Sequence, residues 1–275
     1  MPSATRRSRA QPIPRCMNGN SRIILQERDL QLFRELSVMQ IADRGELMIS
    51  AGFGSVTRAN RRLLALTRAG FLRRFFLGFS GARKALYVLS PKGAATAGVP
   101  RRGPRRPQET MLVADYFTEH QLTINELYCT LKFRPTPAPQ ITFHRWQSFH
   151  EPVIPGIHLI PDGYVEFMTP AGIAACFLEV DLGHESRTVW KEKARRYVQL
   201  ALSDEFEKKF GQKRFRVLVV AHSERKLHSI RKAVVEITQK IFWFAPLASV
   251  KDGFFGPVWL RPADETQKPL FDELP

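Results

Sequence analysis

Three acidic residues and one lysine in the second half of the chain have the types and spacing of a metal-dependent site for phosphodiester cleavage. An alternating pattern predicts a strand over residues 173–181 that turns Glu179 and Asp181 to one face, and a hairpin with the preceding strand would bring Asp162 alongside Glu179. Convergent carboxylates bind Mg²⁺ with part of its water shell, and a nearby lysine can orient or deprotonate the attacking water. The predicted catalytic residues are therefore Asp162, Glu179, Asp181 and Lys193, with the three acids as metal ligands.

The lysine of this set is chosen by its place on a predicted helix over residues 187–209. In a helical projection, the side that faces the sheet holds the stripe Trp190, Ala194, Tyr197 and Ala201. Lys193 falls near the buried edge of that stripe, whereas Lys191 and Arg195 lean away from it. Lys193 is therefore the lysine best placed to reach the acids.

A purely structural role for the acids is the alternative interpretation of the same spacing. Paired acids at the end of a strand often cap a helix or form ion pairs with neighbouring arginines. The arginines near in sequence are Arg187, Arg195 and Arg196. Spacing alone leaves the metal site and the structural role both open.

The other chemistry-bearing set is the basic charge of the first 110 residues. They hold 21 lysines and arginines against 6 acids, and 19 of those 21 are arginines, whereas residues 111–275 hold 21 basic and 20 acidic side chains. Such a split predicts an amino-terminal part that binds a polyanion. Because the planar guanidinium fork suits phosphates and guanine edges, double-stranded DNA is the favoured partner. A solvated basic surface and attraction to an anionic membrane are the alternatives.

Helix and strand signals in this part predict a winged helix-turn-helix over residues 24–100. Three helices are followed by a hairpin with a basic tip; the predicted elements are 27–37, 41–50, 56–69, 71–77 and 85–89. In such a fold the third helix enters the major groove and the hairpin grips the backbone or the minor groove. The predicted DNA contacts are the basic residues of the third helix and the hairpin, Arg58, Arg61, Arg62, Arg68, Arg73, Arg83 and Lys84.

The rest of the chain divides by composition and periodicity. Residues 1–23 predict a flexible basic arm, residues 101–109 an arginine- and proline-rich linker, and residues 263–275 a tail. Residues 110–262 predict an αβββαβ domain, so the fold class is α+β. Its predicted elements, with one further helix at the end, are 110–131, 140–147, 157–167, 173–181, 187–209, 214–221 and 224–240.

Several function classes are excluded by the pattern of the residues. Three widely spaced cysteines, Cys16, Cys129 and Cys176, make neither a disulfide framework nor a CxxC metal site. The sequence has no Walker or GxGxxG glycine loop, and its seven histidines form no HxH pair or HExxH motif, which disfavours a rolling-circle relaxase and a zincin. No segment approaches the ~20 apolar residues of a membrane-spanning helix. We expect a cytoplasmic, bacterial protein without a membrane partner.

Motifs in both halves together resemble the replication-relaxation family of plasmids and integrated mobile elements. Those of the second half are Pro161-Asp162-Gly163, Phe177-Leu178-Glu179-Val180-Asp181, Gly183-His184-Glu185-Ser186 and Lys193-Ala194-Arg195-Arg196-Tyr197. Those of the first half are Glu27-Arg28-Asp29, Arg61-Arg62-Leu63 and Tyr87-Val88-Leu89-Ser90. The likeness covers roughly residues 24–240.

The resemblance implies a role in plasmid replication or DNA mobilisation, and a second half similar to the PD-(D/E)xK nuclease fold. In that pattern Asp162 matches the first acid and Glu179 the second, but Asp181 stands where the pattern has lysine. Some nucleases of that superfamily recruit their lysine from the following helix. The resemblance therefore implies that Lys193 is the migrated group, one helical turn before Tyr197.

Three functions follow as competing hypotheses. In the first, which we favour because the acid-x-lysine pattern is broken, the chain is a DNA-binding regulator or accessory factor of replication initiation. Its nuclease-like domain then serves binding or dimerisation, and a homodimer on paired half-sites is compatible with a winged helix. In the second, the chain is a Mg²⁺-dependent endonuclease or nickase. In the third, it recruits replication or transfer machinery and contacts DNA only secondarily.

Overall fold

The computed structural model describes residues 23–77, 84–101, 111–136 and 140–271, with the side chains of the third range described from residue 116 onward. Several predicted features lie outside the described residues. They are the basic arm up to residue 22, the hairpin tip with Arg83, the linker from residue 102 and the last four residues of the tail.

The amino-terminal part combines short helices with a small antiparallel sheet. In chain order, the described elements are α1 (Glu27–Met39), β1 (Ala42–Asp43), α2 (Arg44–Ser50), α3 (Val56–Arg68), β2 (Leu72–Leu77), β3 (Lys84–Leu89) and α4 (Pro91–Ala97). The strands lie in the order β1-β3-β2. Helices and sheet enclose one apolar core, to which α1 contributes Phe33 and Leu36 and α3 contributes Leu63 and Leu66.

Local signals explain where the second and third helices begin. The Asp43 carboxylate accepts a hydrogen bond from the Glu46 backbone N–H at 2.9 Å, and the Asp43 N–H donates to Glu46 at 2.7 Å. This reciprocal capping box starts α2. The turn that follows uses Gly52 at a φ of 63°, which a glycine adopts without strain. The chain is thereby redirected so that α3 packs its apolar side on the core.

The carboxy-terminal part is built around one five-stranded sheet. The described elements are α5 (Met111–Phe133), β4 (Thr142–Gln147), β5 (Gly163–Thr169), β6 (Gly172–Asp181), α6 (Arg187–Leu202), α7 (Glu205–Phe210), β7 (Arg216–Ala221), α8 (Glu224–Val235), β8 (Phe242–Pro246) and α9 (Leu247–Gly253). The strand order is β4-β5-β6-β7-β8. β4, β5 and β6 are antiparallel neighbours, whereas β6, β7 and β8 run parallel.

Each face of this sheet is covered by helices. On one face, Phe177 of β6 packs with Trp190 and Tyr197 of α6 and with residues of α7 and α8. On the other face, Leu178 of β6 packs with residues of α5 and α9. The alternation predicted for β6 is confirmed, and it places Glu179 on the α6 face, where an ionisable group must find partners because water is excluded.

Helix α5 joins the two parts of the chain. Its Tyr128 and Cys129 belong to the amino-terminal core. The Tyr128 hydroxyl donates to a Glu35 carboxylate oxygen at 2.6 Å, and Asn125 donates to the Ile41 carbonyl at 2.5 Å. The end of α1 is therefore tied by buried hydrogen bonds to the helix that also covers the sheet.

The mixed α+β class is confirmed, and several boundaries differ from the predictions. The strand predicted over 157–167 begins only at Gly163, because the Leu159 carbonyl bonds locally to the Val153 N–H at 2.8 Å. The helix predicted over 187–209 is interrupted at Ser203, whose backbone is extended. The helix predicted over 224–240 ends at Val235. α4, β8 and α9 were not predicted. None of the described helices has the length and apolar character needed to span a bilayer.

Candidate functional site

Glu179 and Lys193 form a buried ion pair between β6 and α6. The lysine Nζ lies 2.8 Å from Glu179 Oε2, and the Tyr197 hydroxyl donates to Glu179 Oε1 at 2.6 Å. Glu179 is fully buried. Burial raises the pKa of the Glu179 carboxyl, and the Lys193 ammonium partly offsets this. The structure thus places Lys193 beside Glu179, and Lys193 is the lysine that the helical projection predicts to reach the acids.

Lys193 also contacts a second acid, Glu185, which was not among the predicted site residues. Its Nζ lies 2.8 Å from Glu185 Oε1. Burial alone would lower the pKa of Lys193, but the carboxylates of Glu179 and Glu185 outweigh it and raise that pKa well above its usual value. Lys193 therefore stays protonated and acts as a fixed positive charge between two acids.

Asp162 lies immediately before β5, beside one backbone donor and the His120 ring, whose Nε2 makes its own hydrogen bond to the Val180 carbonyl at 2.9 Å. Its Oδ2 accepts from the Val180 backbone N–H at 2.8 Å and lies 3.4 Å from His120 Nε2 on α5. Burial alone would lower the pKa of His120, but the Asp162 carboxylate outweighs it and raises the pKa to about 9. Burial alone would raise the pKa of Asp162, but the charge of His120 brings it below its usual value. The two groups form a second ion pair.

Asp181 points to the same helix as Glu179 but is bound separately. Its Oδ1 accepts from the Gly183 N–H at 2.6 Å, and its Oδ2 accepts from Trp190 Nε1 at 2.7 Å, with Lys226 Nζ 3.4 Å away. These bonds fix the turn between β6 and α6. The structural interpretation of this acid is therefore well supported, since each of its oxygens has a donor.

The arginines proposed as structural partners of the acids are bound elsewhere. Arg187 pairs with Glu236 at 3.1 Å, whereas Arg195 and Arg196 pair with Glu192 on their own helix. That part of the structural alternative is wrong. α6 turns its arginines to solvent and its lysine Lys193 inward, because only the latter lies beside the apolar stripe.

A cavity of about 370 Å³ adjoins Asp162, Glu185 and Lys193. α5 contributes Tyr116 and His120 to its wall, and Gln40 reaches it from the end of α1. Among the described residues, Gln40 Oε1 and Glu185 Oε2 are buried without a hydrogen-bond partner. The cavity therefore lies where the amino-terminal part meets the sheet.

His120 and Glu185 are residues of this site that the sequence analysis missed as functional candidates. A usable signal exists for His120, because it precedes the buried Ile124 and Leu127 by four and seven residues and so shares their face of α5. Glu185 lies in the turn before α6, where periodicity gives no information.

The described residues do not fit a Mg²⁺ site in this arrangement. Both oxygens of Glu179 and both of Asp181 accept from protein donors. No group of three histidine, cysteine, aspartate or glutamate residues that could hold a metal ion is found in the described part of the chain. Mg²⁺ prefers oxygen ligands that remain open to it and its waters. This arrangement therefore gives no support to Asp162, Glu179 and Asp181 as metal ligands, and their assignment stays a prediction.

The predicted DNA contacts on α3 fall into two groups. Arg58, Arg61 and Arg68 are exposed on the side opposite the buried Ala59 and Leu63, and no hydrogen bond or ion pair among the described residues engages them. Arg73 on β2 is also exposed. Lys84 at the start of β3 pairs with Asp43 at 2.7 Å while half of its side chain stays exposed. Five of the seven predicted contacts are therefore accessible.

Arg62 does not belong with the accessible arginines. Its Nε donates to Asp29 Oδ1 at 2.8 Å, and its Nη2 donates to the other Asp29 oxygen and to the Ile24 carbonyl. Asp29 is fully buried. Arg62 thus holds α3 on α1, and its DNA contact stays a prediction; the seventh residue, Arg83, lies outside the described residues.

Comparison with known proteins identifies the family. The model of the replication-relaxation family matches residues 28–213, more than half of the chain. The chain belongs to the replication-relaxation family. The matched segment of this replication-relaxation protein contains α3, Asp162, Glu179 and Lys193. Searches of curated proteins and of solved structures found no match.

Proposed function

We propose that this replication-relaxation protein binds double-stranded DNA and acts in replication control or mobilisation of a plasmid or other mobile element. In this proposal α1, α2, α3 and the β2–β3 hairpin, within residues 24–100, form a winged helix-turn-helix. α3 enters the major groove and the hairpin grips the backbone or the minor groove.

One observation carries the proposal: α3 presents Arg58, Arg61 and Arg68 to solvent while burying its apolar side. α3 contains no acidic residue. Acidic side chains keep an exposed helix soluble as well as basic ones do, so solubility alone does not explain their absence. On a helix that lies beside DNA, acidic side chains would be repelled by the phosphates. Exposed Arg73 extends the basic surface to the hairpin. The charge of the first 110 residues is consistent with the same partner.

The α/β part, predicted as residues 110–262, has a supporting role in this proposal. Glu179 and Asp181 are bound by protein donors, so in this proposal they stabilise the contact between β6 and α6 and take no part in catalysis. The nuclease-like domain then serves DNA binding or dimerisation, or recruits replication or transfer proteins. Because α5 contributes residues to the cores of both parts of the chain, binding of a ligand or partner to one part could alter the packing of the other through α5.

Binding to duplex DNA across a salt series tests the proposal. On the order of six phosphate contacts give a slope of log K against log salt near −5. We expect tight binding at low salt that weakens steeply as salt is added. Absence of duplex binding at low salt would contradict the proposal.

A metal-dependent nuclease or nickase is the second candidate function. The contact that favours it is the 2.8 Å pair between Lys193 Nζ and Glu179 Oε2, which unites the two groups that the resemblance implies. Supercoiled plasmid incubated with Mg²⁺ or Mn²⁺ tests it, with Glu179→Gln as the variant and Glu192→Gln on the exposed side of α6 as the matched control. Relaxed or linear product that Glu179→Gln abolishes and Glu192→Gln leaves intact would establish the nuclease.

A further inference from the structure

A second cavity, of about 560 Å³, lies at the opposite end of β6 from Asp162 and Glu179. It is formed where β6, β7 and β8 begin, between Ala175, Arg216 and Trp243. Ala175 and Glu179 are four residues apart on one strand, which corresponds to roughly 13 Å, and Glu179 itself is fully buried. The cavity is therefore separate from the polar cluster around Lys193, and we call it the basic cleft.

The charge of the basic cleft is one-sided. Four cationic side chains line it, namely Lys213, Arg214, Arg216 and Arg261, and none of the described lining residues is acidic. In the described ranges, no carboxylate pairs with Lys213, Arg214 or Arg216, and Lys213 and Arg214 are exposed at its rim. The positive charge of Lys213, Arg214 and Arg216, which no carboxylate of the described residues pairs, favours an anionic ligand.

Aromatic rings hold one of these cations in place. The Arg216 guanidinium carbon lies 5.5 Å from the ring centroid of Trp243 and 5.0 Å from that of Phe271. Cation–π contact uses the faces of the guanidinium, so its N–H edge is left to donate. Arg216 is thereby preorganised as a donor fork, which reduces the entropy lost when it binds a phosphate.

Trp243 adds a donor that has no acceptor. It is 7% exposed and forms part of the cleft wall. Its Nε1 is buried and has no hydrogen-bond partner among the described residues. Buried indole N–H groups usually find an acceptor, and a ligand in the cleft would supply one if the Trp243 ring turned its nitrogen toward it.

We propose that the basic cleft binds a nucleotide unit, either free or as part of a single strand. The phosphate contacts Arg216, Lys213 and Arg214, and the base and sugar lie against the apolar wall that includes Ile173 and Ile241. The volume is in the range of small-ligand pockets, which enclose ligands of this size. This site goes beyond the duplex contact proposed for α3 and does not depend on it.

The experiment measures the binding of two probes, ATP and a ten-nucleotide oligothymidylate, to the full chain by calorimetry. The double variant Lys213→Ala/Arg214→Ala removes rim charge without touching the core, and Trp243→Phe removes the indole donor while keeping a ring. Arg195→Ala/Lys208→Ala removes the same charge from exposed positions outside the cleft. Arg61→Ala on α3 separates this site from the duplex contact.

We expect saturable binding of at least one probe, with Kd raised at least tenfold by the rim double variant and by Trp243→Phe. The outside control and Arg61→Ala should leave Kd within threefold. Binding of ATP indicates a free nucleotide, and binding of the oligonucleotide alone indicates a strand; each supports the proposal.

Three results would overturn it. The first is no saturable binding of either probe, and the second is equal weakening by the cleft variants and the outside control. The third concerns Asp272 and Glu273, which follow Phe271 in sequence. If Asp272→Asn/Glu273→Gln binds a probe that the unaltered chain does not bind, these two acids block the cleft in the unaltered protein, and the proposal that the protein binds a nucleotide there is overturned.

Discussion

The Arg62 guanidinium on α3 holds the buried carboxylate of Asp29 on α1 through two hydrogen bonds, one of them 2.8 Å from Nε to Oδ1. This pair crosses the core of the amino-terminal part and fixes the direction in which α3 presents its remaining arginines. One basic residue of the helix thus stabilises the fold, whereas its neighbours Arg58, Arg61 and Arg68 remain accessible.

Loss of Arg62 should therefore destabilise the protein. Arg62→Ala leaves the buried Asp29 charge with only the Gln26 backbone N–H as a donor, and we expect the free energy of unfolding to fall by about 3 kcal/mol. Arg62→Lys should recover only part of this, because a lysine cannot donate both bonds of the fork. Urea unfolding with an unchanged m-value measures the effect.

The exposed pair between Arg34 and Glu27 on α1 provides the control, at 2.9 Å and with half of the arginine side chain in solvent. Arg34→Ala should cost less than about 1 kcal/mol. Equal losses of unfolding free energy for Arg62→Ala and Arg34→Ala would show that the buried pair stabilises the protein no more than the exposed pair does.

The contrast between these arginines explains which parts of the interface could be predicted. Spacing on α3 correctly separates the apolar side from the basic side, since 3.6-residue periodicity is a property of the sequence. It does not reveal that Arg62, at the border between the two sides, finds a buried acid 33 positions earlier in the chain. Such a partner depends on tertiary packing.

The same limit applies to the acid cluster. The alternation of β6 and the apolar stripe of α6 were enough to predict that Lys193 lies beside Glu179. His120 and Glu185 belong to a different helix and to a turn, so neither shares a period with the acids. The missed strand β8 had a signal, because the apolar run Phe242–Pro246 is typical of a parallel strand buried on both faces.

Stability should depend on pH through His120. Between pH 6.5 and about 9 the folded protein keeps a proton on His120 that the unfolded chain releases. Raising the pH through this window therefore removes stability that is fully present below pH 6.5, by up to about 3 kcal/mol. Urea unfolding at a series of pH values measures this loss.

In His120→Gln the loss should shrink and its part between pH 8 and about 9 should largely disappear, because below pH 8 the buried Glu46, whose pKa burial raises to about 8, still loses a proton that the unfolded chain has already released. The exposed His158 supplies the matched substitution, His158→Gln, which should keep the pH dependence of the unaltered chain. Identical pH dependence in the unaltered chain and in His120→Gln would refute the assignment.

Gly163, which follows Asp162, should not tolerate a side chain. A Cβ at this position would lie 2.4 Å from Cζ2 of Trp146 on the neighbouring strand β4. Gly163→Ala must displace that indole, which packs at a tilt against Tyr128, with 5.1 Å between ring centroids. We expect a loss of about 1–3 kcal/mol in unfolding free energy.

Gly54 is the appropriate comparison for this substitution, since an added Cβ there meets nothing within 4 Å. Thermal unfolding of Gly54→Ala should resemble that of the unaltered chain. A Gly163→Ala protein as stable as Gly54→Ala would mean that the Trp146 ring moves aside without cost.

Duplex binding by a charge-matched pair of variants measures how much the exposed arginines of α3 contribute to DNA binding. One variant is Arg58→Ala/Arg61→Ala/Arg68→Ala. The other removes three exposed cations from α6, α7 and α8, Arg195→Ala/Lys208→Ala/Arg225→Ala. Fluorescence anisotropy on a labelled duplex gives Kd at several salt concentrations.

The α3 variant should weaken duplex binding by about a hundredfold or more at low salt and reduce the magnitude of the salt slope by about 3, since each phosphate contact contributes about 1. The matched variant should stay within about threefold of the unaltered chain. Equal Kd values and equal salt slopes for the two variants would contradict the account.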